Sequence, residues 1–95
     1  HPDKEDVKLP YSLAHALVKP GETSYRHKLR NSEVYYILEG EGMMYIDNES
    51  VKVCPGQAIY IPPNSIQCIK NTGQGDLKFL CIVVPAWRPE DEDVL

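Results

Sequence analysis

Turn-forming residues divide this chain into runs too short for ordinary helices. Pro20-Gly21 closes SLAHALVK, Asn31-Ser32 separates RHKLR from EVYYILEG, and Gly40 and Gly42 flank Glu41 ahead of MMYID. Asp47-Asn48 precedes VKVC, Pro55-Gly56 parts VKVC from AIYIPP, and NTGQGD stands between QCIKN and LKFLCIVV. The runs between these breaks are rich in Val, Ile and Tyr, whose branched or aromatic side chains pack well on a pleated strand. Short strands with turn chemistry at this spacing predict an all-β sandwich or barrel. The 8 prolines agree, because proline inside a helix removes a hydrogen bond and clashes with the preceding turn.

Ninety-five residues make one domain with one core. The polar, charged residues 1–9 read as an N-terminal arm, 10–89 as the barrel, and 90–95 as a solvated acidic tail. His1, at the very start, is set aside as a site residue. A net charge of −4 argues against nucleic acid as a partner, since phosphate binding needs a basic surface. The apolar run LKFLCIVV is too short to span a bilayer, no signal-peptide pattern opens the chain, and no membrane partner is expected. Three cysteines without close spacing do not form a disulfide framework, which favours a reducing, cytoplasmic setting.

Alternation with period two assigns faces. In RHKLR, Arg26, Lys28 and Arg30 share one face; three cations do not sit together inside a small barrel, so His27 and Leu29 turn inward. Glu33, Tyr35 and Ile37 share a face of the next run. With Lys70 outward, Gln67 and Ile69 face in and Cys68 faces out. With Lys78 outward, Phe79, Cys81 and Val83 face in. In SLAHALVK, Ala14, Ala16 and Val18 face in, and Leu13, His15 and Leu17 form an apolar outer stripe. Such a stripe suggests a homodimer contact.

Two stretches, PGETSYRHKLRNSEVYYILEG and PGQAIYIPPNSIQCIKN, resemble the paired motifs of the cupin family. The first motif is Gly, five residues, His, one residue, His, three or four residues, Glu, six residues, Gly. Gly21, His27, Leu29, Glu33 and Gly40 stand at those positions. The second is Gly, five residues, Pro, one residue, Gly, two residues, His, three residues, Asn, matched by Gly56, Pro62, Asn64, Gln67 and Asn71. The resemblance covers about residues 12–86. It implies a double-stranded β-helix, a jelly-roll barrel of two antiparallel sheets, commonly dimeric. Cupins usually present three His and one Glu to a metal; here Leu29 and Gln67 replace two of the His.

The interior therefore has two readings. As a metal site, His27, Glu33 and Gln67 would hold a divalent transition metal such as Zn, Fe, Mn or Ni, weakly, with a fourth donor needed from Cys81, Tyr35 or Tyr45. The resulting enzyme would be of isomerase, epimerase or dioxygenase type. As a polar pocket, His27, Glu33, Gln67, Tyr35 and Leu29 would bind a small organic ligand, Glu33 accepting from His27 and Gln67 bridging them. The pocket is the preferred reading. Cys81 reads as an inert buried thiol, and Trp87 as a cap on the core or a wall of the pocket mouth, the cap being favoured.

Overall fold

The computed structural model describes residues 10–95, so the expected arm at 1–9 lies outside the described residues. Its strands are β1 (Ser12–Val18), β2 (His27–Leu29), β3 (Ser32–Glu39), β4 (Gly42–Ile46), β5 (Glu49–Val53), β6 (Ala58–Ile61), β7 (Ile66–Asn71), β8 (Leu77–Val84) and β9 (Glu92–Val94). A 3-10 turn, Pro89–Asp91, precedes β9. The strands form two antiparallel sheets, one of order β1-β8-β3-β6 and one of order β5-β4-β7-β2-β9. Among the described residues, no helix is long and apolar enough to cross a membrane.

The expected turns fall between strands, and two of the non-glycine turn residues adopt positive φ, Asp47 at 52° and Asn64 at 65°. Short Asp and Asn side chains tolerate that left-handed region. Gly40 is a stricter case. Its φ is +88°, and a Cβ there would run into the backbone of Asp76 and Leu77. The NTGQGD turn is fixed by Asn71, whose Nδ2 donates to the carbonyls of Val18 (2.9 Å) and Gly75 (2.8 Å) while its Oδ1 accepts from the Gly73 amide (2.9 Å).

Inward residues of the two sheets meet in one core. Ile37, Met44, Ile61, Ile69 and Leu77 are fully buried, and Tyr35 lies against Phe79 with ring centroids 4.6 Å apart. The alternation read from sequence holds in β3, β7 and β8, where the buried set includes Glu33, Tyr35, Gln67, Ile69, Phe79 and Val83, whereas in β1 only Val18 is buried, Ala16 is half-buried and Ala14, expected inside, is exposed toward the strand's start.

The C-terminal segment differs from the expected solvated tail. Residues 92–94 pair with β2 as an edge strand, placing Leu29 opposite Glu92 and His27 opposite Val94. The Arg30 amide donates to the Asp91 carbonyl (2.9 Å), and the Leu95 amide to the Arg26 carbonyl (2.8 Å). The buried Asp91 carboxylate accepts from Arg88 (3.1 Å), and this guanidinium holds its carboxyl below the ordinary value. Of the four acids only Asp91 is buried, with its charge met by Arg88, while Glu90 and Asp93 stay exposed on a segment held by backbone bonds.

Candidate ligand site at the end of the barrel

β3 begins and β8 ends at one end of the barrel, where Glu33 stands opposite Ile61 on one neighbour and Val83 on the other. Period-two alternation turns Glu33 inward together with Tyr35 and Ile37. Across the core, β7 turns Gln67 inward, directly opposite His27 of β2. The two sheets are joined here by a side-chain bond: Gln67 Nε2 donates to Glu33 Oε1 at 2.8 Å. Glu33 is 5 % exposed and Gln67 1 % exposed. Gln67 Oε1 has no donor within reach and is fully enclosed. An enclosed acceptor without a partner is costly, since it loses its water and gains nothing in exchange.

His27 is half-buried, and its Nδ1 donates to the Tyr25 carbonyl at 3.1 Å, because a carbonyl can only accept. The expected bond from His27 to Glu33 is replaced by this backbone contact, and Glu33 takes its donor from Gln67. His27 still acts on Glu33 through space. Burial pushes the Glu33 carboxyl above its ordinary value; the Gln67 bond and the His27 charge partly offset this, and Glu92 pushes it further up.

Leu29, only 3 % exposed, supplies a hydrocarbon wall where an imidazole donor would stand. Tyr35 is buried, and desolvation, followed by the Glu33 charge, raises its hydroxyl well above the ordinary value. Cys81 is pushed up to about 12 by burial and then by Glu33, so it stays a thiol, as the inert reading expected. Tyr45 lies on the outer face of β4, opposite Cys68 and Ser50, and is not part of this cluster. It lines an outer groove of about 390 Å3 with Arg26, Asp47, Asn48, Ile66, Gln67 and Cys68, so the groove touches the cluster only at Gln67.

Sequence reasoning missed Glu92. As the partner of Leu29 across an antiparallel pair, its side chain shares the inward face of His27 and Leu29. Trp87 Nε1 donates to Glu92 Oε1 at 2.9 Å, and the Trp87 amide donates to Ser12 Oγ at 2.6 Å. Trp87 is 43 % exposed, so it stands at the rim rather than capping the core, the less favoured of the two readings.

The cupin pattern implies a metal, and the residues present fit one poorly. Metal donors must converge on a point at about 2.0 to 2.3 Å. Among the described residues, no group of three or more His, Cys, Asp or Glu side chains is arranged to hold an ion. Leu29 donates nothing, and Glu33 and Glu92 each have one oxygen engaged by an N–H.

The cupin domain family matches residues 14–83, and the chain belongs to that family. It is 46 % identical over 85 residues to the uncharacterized protein MJ1618 of Methanocaldococcus jannaschii, covering 88 % of this chain and 68 % of the relative. It is 32 % identical over 73 residues to the oxalate-binding protein of Thermotoga maritima, covering 76 % of this chain and 60 % of that protein's length. The crystal structure of a predicted oxalate decarboxylase from Thermotoga maritima superposes with a TM-score of 0.72 at 31 % identity, covering 77 % of this chain and 64 % of the other.

Proposed function

We propose that this cupin binds a small organic ligand at the end of the barrel, with His27, Glu33 and Gln67 as polar contacts and Tyr35 and Leu29 as walls. The observation that carries the reading is the enclosed, unpartnered Gln67 Oε1 beside a buried carboxylate. A few polar groups set in apolar walls are the usual anatomy of a small-molecule site. The name of the Thermotoga oxalate-binding relative supports ligand binding as a class. A metal-dependent enzyme using His27 and Glu33 would follow the oxalate decarboxylase likeness, but the donor arrangement speaks against it. The test is a thermal-shift screen of metal-stripped protein against small carboxylates, sugars and amines. At least one class should raise the melting temperature of the native chain and leave that of Gln67→Ala unmoved. Stabilisation by none of them would overturn the proposal.

We also propose that the protein is a homodimer in the cytoplasm. The three cysteines are free, which suits a reducing compartment. The outer face of the four-stranded sheet carries Leu13, Leu17, Val34, Tyr36, Tyr60 and Ile82, several of them well exposed. At ordinary strand spacings this face measures about 25 by 14 Å, the size of the largest apolar patch on a typical protein, which is often a functional surface. A second copy packed about a two-fold axis covers it with the same residues.

A further inference from the structure

Three of the groups facing the barrel end are acceptors. Glu33 brings a carboxylate, Gln67 an unpartnered Oε1, and Glu92 a second carboxylate from the strand paired with β2. His27 has its Nδ1 spent on the Tyr25 carbonyl. The three cations nearest in sequence, Arg26, Lys28 and Arg30, flank the inward pair His27 and Leu29, and alternation turns them to the opposite face.

We propose that the ligand of this site is a small organic ammonium, held by Glu33, Glu92 and the Gln67 side-chain oxygen, with Trp87 at the rim against its carbon skeleton. The inference rests on the ligand-binding reading above and narrows it to a chemical class. An –NH3+ group carries three donors and no acceptor, so it satisfies three acceptors at once. It also supplies the donor that Gln67 Oε1 lacks. Its N–H···O contacts are about 2.8 to 3.0 Å long, against about 2.0 to 2.3 Å for metal–ligand bonds. The aromatic face of Trp87, whose indole N–H is tied to Glu92, adds attraction for a cation near the ring. A dicarboxylate such as oxalate meets the reverse: two carboxylates and an orphaned acceptor. The site thus departs from what the name of the Thermotoga relative suggests.

The experiment uses three probes with one skeleton: propylammonium, propanoate and propan-1-ol. Each is titrated into the full-length, metal-stripped protein, and the Gln67 side-chain amide is followed by 1H–15N correlation spectra. The expected result is saturable binding of propylammonium, about tenfold tighter than either other probe, the worth of one charge-assisted hydrogen bond. Glu92→Gln keeps an acceptor for Trp87 and should weaken propylammonium by about the same factor with the melting temperature held. Tighter binding of propanoate would overturn the ammonium assignment while leaving the ligand-binding reading intact. Binding of no probe would overturn the assignment. It would overturn the broader reading only if the wider screen also failed. Stoichiometric uptake of Zn2+ or Mn2+ lost in Glu92→Gln, without ammonium binding, would replace the assignment with a metal site. Unchanged propylammonium affinity in Glu92→Gln would also overturn it.

Discussion

Burial decides how Glu33 behaves. In the unfolded chain its carboxyl titrates near 4.5, and in the fold desolvation lifts it above that value. Between those two values the unfolded state has released its proton and the native state has kept it. Stability therefore falls as pH rises through that window and levels once both states are ionised. Glu33→Gln removes this contribution and keeps a polar partner for Gln67. We expect the variant to melt higher than the native protein at pH 7, with the difference shrinking below pH ~4.5, where both native and unfolded Glu33 are protonated. Melting curves between acid and neutral pH decide the matter; a lower melting temperature at pH 7 would show that the ionised carboxylate stabilises the fold. Most of this cluster was legible in sequence. Lys70 and the cation row assign the inward faces of β7 and β2 without any structure, and the structure buries Gln67 and Leu29 accordingly. The partner of His27 was not legible, because a bond to the Tyr25 carbonyl depends on a backbone path that alternation does not encode.

At the level of elements, the glycines separate two kinds of turn. Gly21 and Gly40 both have positive φ, +80° and +88°, but a Cβ at Gly21 meets nothing within 4 Å, whereas one at Gly40 meets the backbone of Asp76 and Leu77. Gly21→Ala should therefore cost only the backbone term of about 1 kcal/mol. Gly40→Ala should cost about 2 kcal/mol or more, since β3 must also move away from the start of β8. Urea unfolding of the pair measures the difference, and equal losses would remove the steric part of the explanation. The sequence motif marks both glycines alike and does not rank them. The C-terminal strand escaped sequence reading for another physical reason. Alternation is visible when one face is apolar, and the inward face of β9 presents Glu92 to a polar barrel end. A run of acids over Glu90–Asp93 then looks like a tail, although Asp91 is buried and paired with Arg88.

For the molecule as a whole, the open question is what covers the outer face of the four-stranded sheet. The stripe of Leu13, His15 and Leu17 was legible from one lysine, and pairing of β1 with β8 and of β8 with β3 extends it across the sheet. Leu13 is 59 % exposed, so an aspartate there does not disturb the core. We expect the native protein to sediment as a dimer and Leu13→Asp to raise the dimer dissociation constant by about tenfold or more, as burying an unpaired charge at an interface demands. Analytical ultracentrifugation at several concentrations makes the comparison; a variant that stays as dimeric as the native chain would place the contact elsewhere.

The bond between Trp87 and Glu92 has an optical consequence. The chain holds 1 tryptophan, so its tryptophan emission comes from one indole, and that indole donates its N–H to a carboxylate at the end of the barrel. Whatever draws on the charge of Glu92 changes the field along the ring and the water around it. Occupancy of the barrel end is then readable as colour and intensity of fluorescence, without any label added to the protein.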